Sequence, residues 1–209
     1  MKTSVSILKS NDTIEKCIEK VELTDTDFIH VDIMDGKFVE RTTLSINDVN
    51  NLFYNSSKPL DIHLMVESPR EYIEAFKDLN VFSITIHVEI EENIEELLNL
   101  IKRYGIKAGI AINPETDINK LNNYLSLADL VLIMGVHPGA GGQKLKFSTT
   151  ERIEYLSELR LLNRYHYLIN FDGGVNNETR HLLDGLDMLV SGSYVCMSDD
   201  YQARINELR

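Results

Sequence analysis

Short apolar, β-branched runs recur along the chain at Thr3–Leu8, Phe28–Asp32, Leu60–Met65, Ser83–His87, Lys107–Ile112, Leu130–Met134, Tyr167–Phe171 and Met188–Ser191. Each has the length of a buried strand. Between them apolar positions fall at helical spacing: Ile14, Ile18 and Val21; Tyr72, Ile73, Phe76 and Leu79; Ile94, Leu97, Leu98 and Ile101. Ser68 before Pro69 predicts an N-cap and first-turn pair, Asp12 a cap for the first helix, and Gly105 a helix stop before the fifth strand. Eight strands in 209 residues leave about 26 residues per strand–helix unit, so the connecting loops must be short. Strictly alternating strands and helices predict a parallel sheet covered by helices, either a closed barrel or an open doubly wound sheet. The count of eight favours the barrel. A dinucleotide-binding open sheet would also show a glycine-rich turn after its first strand, whereas Lys9, Ser10, Asn11 and Asp12 follow here. No linker or low-complexity tract interrupts the pattern, so residues 1–209 are expected to form a single α/β domain, a (βα)8 TIM barrel.

Barrel chemistry resides at the carboxyl ends of the strands. Side chains alternate along a strand, so His30 and Asp32 point the same way at the end of the second, and His63 lies at equivalent depth on the third. Asp172 ends the seventh. Ionisable groups crowded into a barrel mouth each carry a desolvation cost, and a divalent cation is the simplest compensation for two imidazoles and two carboxylates. The mixed nitrogen and oxygen set suits Zn, Fe(II), Mn or Co better than Mg or Ca. Glycines mark a second function on the same rim. Gly139, Ala140, Gly141 and Gly142 follow strand six, Gly173 and Gly174 follow strand seven, and Gly192 with Ser193 follows strand eight. Such loops let backbone N–H groups approach a phosphate closely. Met34, Met65 and Met134 sit at the ends of strands two, three and six, where they would form an apolar lid over a reactive intermediate.

Charge narrows the partners. With 21 basic and 33 acidic residues the net charge is −12, which disfavours nucleic acid and anionic membrane surfaces as partners but not an anion in a pocket. No apolar stretch approaches a membrane helix. Cys17 and Cys196 are too few for a disulfide scaffold and suit a reducing compartment, so a cytoplasmic protein is expected. The sequence leaves homo-oligomerisation open.

The segments His-Val-Asp-Ile-Met-Asp-Gly at 30–36, Asp-Ile-His-Leu-Met at 61–65, Pro-Gly-Ala-Gly-Gly-Gln at 138–143, Asp-Gly-Gly-Val at 172–175 and Ser-Gly-Ser at 191–193 together resemble the ribulose-phosphate 3-epimerase family. Ser-Ile-Leu at 6–8 and Thr-Ile-His-Val-Glu at 85–89 extend the likeness over nearly the whole chain. The resemblance implies a barrel of the ribulose-phosphate-binding type with one divalent metal held by His30, Asp32, His63 and Asp172. It implies that Asp32 and Asp172 exchange protons with opposite faces of a phosphorylated ketose, ribulose 5-phosphate giving xylulose 5-phosphate. It also implies that Ser6 contacts the sugar, that His63 contributes to substrate binding, and that the glycine loops with Ser193 hold the phosphate. Inversion through a planar enediolate needs two acid–base groups on two sides, which agrees with this pair of carboxylates.

The chain departs from the family pattern at the mouth. Glu40 and Arg41 replace a usual Pro-Asn, His137 and Ala140 alter the loop after strand six, and Lys9 stands where Ser is frequent. Thr43, Leu44 and Ser45 are similar to the related allulose-6-phosphate 3-epimerases, which keeps that hexulose phosphate as an alternative substrate. A decarboxylase of the orotidine-phosphate type would want a lysine within the third strand, which Asp61-Ile-His-Leu-Met lacks; Lys9 is the one candidate for a Schiff-base aldolase and reads as a solvated rim residue. A non-catalytic sugar-phosphate binder is the reading from another class. His87 and Glu89, at the end of strand four, read as barrel packing and as groups supporting the site from behind, structural as much as functional, and are left out of the site itself; His137, His166 and His181 read as loop or helix-surface histidines.

Overall fold

A computed structural model describes residues 1–139 and 149–209. Ala140, Gly141 and Gly142 lie outside the described residues. Eight strands form a closed barrel in chain order, every neighbouring pair parallel, with β8 returning to β1. They are β1 Lys2–Ser6, β2 Phe28–Met34, β3 Leu60–Met65, β4 Val81–His87, β5 Lys107–Ile112, β6 Leu130–Met134, β7 Leu168–Asp172 and β8 Met188–Ser191. Helices α1 Ile14–Glu22, α2 Ile46–Phe53, α3 Arg70–Phe76, α4 Ile94–Arg103 and α5 Thr149–Asn163 cover the outside, and the short α6 Ser193–Cys196 and α7 Tyr201–Asn206 complete it.

Local chemistry starts and stops these elements. Ser45 and Asp48 form a capping box on α2, and Asn93 caps α4, whose first turn carries Glu95 and Glu96 and whose last carries Lys102 and Arg103, as the helix dipole favours. Gly105 ends α4 with φ of 74°. Three expectations are corrected. Thr13 rather than Asp12 caps α1; Asp12 instead lies 3.2 Å from Lys16 and pairs with Lys20 as well, so its carboxylate is already engaged. Helix α3 begins at Arg70 with Pro69 as its N-cap and no side-chain capping bond, because the proline already holds helical backbone angles in place of Ser68. The crossovers from β5 to β6 and from β7 to β8 are 3₁₀ turns, Ile118–Asn123 and Arg180–Leu182, rather than α-helices. The first of them runs through Asp117, Asn119, Asn122 and Asn123, side chains that compete for backbone hydrogen bonds.

Strands buried on both faces divide the core in two. Outward residues such as Val31, Ile62, Ile84, Ile110 and Val131 pack against the helices in one annular cluster. Inside the ring, Phe28, Ala111, Leu130, Leu132, Met134 and Met188 form a second, smaller one. Much of the remaining interior is polar yet buried: Ser4, His30, Asp61, His63, Ser83, Thr85 and His87 project from β1 to β4, and Asn170 from β7. The polar groups are thus concentrated on the β1–β4 side, which leads up to the mouth. No helix among the described residues is long and apolar enough to cross a membrane.

Candidate active site

The β2–β3 register sets Asp32 beside His63, and the β6–β7 register sets Met134 beside Asp172. At the mouth His30, Asp32, His63 and Asp172 each offer one ligand atom, and these atoms lie within 4.8 Å of one another. All four expected metal-site residues therefore come together.

The donors fit a cation. His30 Nε2 is buried without a hydrogen-bond partner, 3.3 Å from Asp32 Oδ1 and 3.9 Å from Asp172 Oδ2. His63 Nδ1 lies 3.2 Å from the same Asp32 oxygen and 4.0 Å from Asp172 Oδ2. An orphaned imidazole nitrogen converging with two carboxylates calls for positive charge at their centre. Electrostatics agree. Burial opposes a charged His30, but the Asp32 and Asp61 carboxylates outweigh it and raise its proton affinity well above the ordinary value. Burial likewise opposes charge on Asp32, yet His30 beside it holds it well below the usual carboxylate range. Asp172 goes the other way: burial and then the neighbouring Asp32 push it up to about 7.

Carboxylates behind the two imidazoles aim them. His30 Nδ1 is 2.7 Å from Asp61 Oδ2, and Asp61 also accepts from Ser4 Oγ at 3.0 Å and Ser83 Oγ at 2.7 Å. His63 Nε2 is 2.8 Å from His87 Nε2, and His87 Nδ1 is 2.9 Å from Glu89 Oε2. Burial pulls His87 down to about 4, so its ring is neutral. Of these, the sequence reading placed His87 and Glu89 behind the site without assigning them to it, and it missed Asp61. The signal was available: they continue the every-second-residue polar positions that break otherwise apolar strands.

Above the cluster opens a cavity of about 400 Å³ lined by Ser6, Asp32, Asp172, Gly139, Gly173, Gly174, Gly192 and Ser193, with Met34, Met65 and Met134 in its wall. Ser6 Oγ donates to Asp32 Oδ2 at 2.8 Å. Gly173 has φ of 119°, and a Cβ there would lie 2.9 Å from Val136 N, so the turn below the cavity admits no side chain. Lys9 and His137 also line the mouth, His137 as a loop residue 3.7 Å from Glu115. His166 and His181 are exposed, as expected. The loop after β2 folds back on itself: Thr43 Oγ1 donates to Asp32 O at 2.7 Å and accepts from Met34 N at 2.9 Å. This places the Phe38 ring 4.7 Å from that of His87.

Comparison with known proteins accounts for the arrangement. Among solved structures, a 3-hexulose-6-phosphate synthase superposes with a TM-score of 0.70 at 16% identity over 100% of this chain and 98% of the other, a likeness of fold. A Mycobacterium tuberculosis tryptophan synthase matches at 0.70 and 11% identity over 99% and 91% of the two chains. Sequence relatives are nearer. A ribulose-phosphate 3-epimerase of Helicobacter pylori is 38% identical over 100% of this chain and 97% of its own, and one of Bacillus subtilis is 37% identical over 92% and 90%. Both are carbohydrate isomerases by name. The profile of the ribulose-phosphate 3 epimerase family matches residues 2–196, and with that match the chain belongs to this family of carbohydrate isomerases.

Proposed function

We propose that the protein inverts carbon 3 of a ketose phosphate, interconverting D-ribulose 5-phosphate and D-xylulose 5-phosphate. The observation that carries this reading is the meeting of two acidic side chains with two imidazoles at the floor of a glycine-rimmed cavity. His30, Asp32, His63 and Asp172 would hold one divalent ion, Zn or Fe(II) by donor type, with Mn and Co compatible. When bound, the ion supplies a Lewis acid that polarises the ketone and offsets the negative charge developing on its oxygen.

The chain's own groups do the rest. Asp32 and Asp172 stand on separate strands; one removes the proton from carbon 3 and the other delivers a proton to the opposite face, the roles exchanging in the reverse direction. Ser6, bonded to Asp32, orients that carboxylate and reaches the sugar from the same position. Backbone N–H groups at Gly139, Gly173, Gly174, Gly192 and Ser193 receive the phosphate, with Ala140, Gly141 and Gly142 assigned to the same role from sequence. Met34, Met65 and Met134 exclude water from the reacting carbon.

Thr43, Leu44 and Ser45 give no separate support to a hexulose phosphate, because Thr43 pins the loop to β2 and Ser45 caps α2. Incubation with ribulose 5-phosphate in deuterated water tests the reading. It expects solvent deuterium at carbon 3 and xylulose 5-phosphate as product; tight binding without exchange would leave a sugar-phosphate binder instead. Asp32→Asn and Asp172→Asn should each lower turnover by at least about a thousandfold with circular dichroism unchanged. Substantial activity in either variant would remove that residue from proton transfer.

A further inference from the structure

The imidazole of His63 can ligate an ion through Nδ1 only if its proton resides on Nε2, and nothing within the ring decides which nitrogen carries it. The hydrogen bonds behind it do. Both oxygens of Glu89 are acceptors: Oε1 takes the N–H of Asn113 at 2.8 Å, and Oε2 lies 2.9 Å from His87 Nδ1. His87 must therefore carry its proton on Nδ1, which leaves Nε2 bare. That bare nitrogen is 2.8 Å from His63 Nε2, so His63 must donate there. His63 Nδ1 is then a lone pair facing Asp32 Oδ1 across 3.2 Å, an arrangement that a cation between them relieves.

We propose that His87 and Glu89 are positioning residues, a two-member relay that fixes the His63 tautomer with Nδ1 free for the metal. The inference rests on the reading of the four mouth residues as ion ligands. It gives the two imidazoles different supports: His30 is set directly by Asp61, His63 at one remove by Glu89 through a second imidazole. Burial of His87 and the Phe38 ring beside it keep water from supplying an alternative partner. Glu89 itself is braced through Asn113, whose carbonyl accepts from Arg152 on α5 at 2.9 Å. Few substitutions would respect this pattern. A glutamine at position 89 has one acceptor and one donor, so it must either oppose the Asn113 N–H or donate to His87 and invert both tautomers.

Nitrogen-15 NMR of the histidine rings in chelator-treated protein tests the relay, paired with Co(II) and Zn(II) affinity by competition against a chromophoric chelator. We expect His87 protonated at Nδ1 and His63 at Nε2 in the wild type. Glu89→Gln should mix or invert these forms and weaken Co(II) and Zn(II) binding about 10- to 100-fold, with circular dichroism unchanged. A wild-type His63 protonated at Nδ1 would overturn the proposal, and that measurement needs no variant. So would Glu89→Gln protein with wild-type tautomers and wild-type affinity. If the wild type binds neither ion while its tautomers are as expected, the metal-centre reading fails and the relay stands.

Discussion

Asp172 is the residue at which the cost of the site is concentrated. In the metal-free protein its carboxyl titrates at about 7 because burial and Asp32 oppose its charge, whereas in the unfolded chain it titrates in the ordinary range. Below that range both states are protonated and there is no penalty. As pH rises from the ordinary carboxylate range to about 7, the unfolded chain releases this proton while the folded state still holds it, so stability falls by a few kcal/mol through that window and levels off above it. Metal-free Asp172→Asn should accordingly be more stable than metal-free wild type at pH 8, with the gap closing towards pH 4; denaturant melts at both pH values check this. At the rim, Lys9 shares the cavity mouth with Gly192 and Ser193. Its cation should assist capture of a dianionic substrate. Lys9→Ser is expected to raise KM about tenfold with little change in kcat, and to flatten the dependence of KM on ionic strength.

At the scale of elements, Gly173 carries the strictest requirement. Gly173→Ala forces a Cβ against Val136 and a strained φ, which should cost about 2 kcal/mol or more and lower Tm by roughly 5 °C, read by calorimetry. The strands themselves were largely legible. Leu130–Met134 matches the structure at both ends because a strand buried on two faces by apolar neighbours leaves an unbroken apolar signature, and Leu60–Met65 matches as well although Asp61 and His63 interrupt its apolar run. The first strand was read too far, to Leu8, because Leu8 turns away to line the cavity and its hydrophobicity serves that wall. The four candidate ligands were legible, His30, Asp32 and His63 through strand parity and Asp172 through its place at a strand end. The proposed relay was legible only as far as its members: His87 ends β4 and Glu89 lies in the turn after it, whereas the proton positions follow from hydrogen bonds that only the closed barrel creates. Caps failed at Asp12 and Ser68 for local reasons: Thr13 caps α1 while Asp12 is engaged by Lys16 and Lys20, and Pro69 enters helical geometry with no side-chain cap on α3.

For the whole molecule, the ring joins candidate ligands from the first third and the last third of the chain around one point. Removing the ion should expose the mutual repulsion of Asp32 and Asp172. Chelation is therefore expected to abolish epimerisation and lower Tm at pH 8, with Zn(II) or Fe(II) restoring both; an unchanged Tm on chelation and on reloading would argue against an ion at this point. The order in which the ligands are synthesised has a consequence of its own. His30, Asp32 and His63 belong to β2 and β3, whereas Asp172 ends β7, and β8 must still seat against β1 to seal the circle. A nascent or refolding chain thus holds an incomplete set of donors until its last third is in place. Tight ion capture would then serve as a timestamp for ring closure, arriving after the bulk of chain collapse and distinguishing finished barrels from half-built ones.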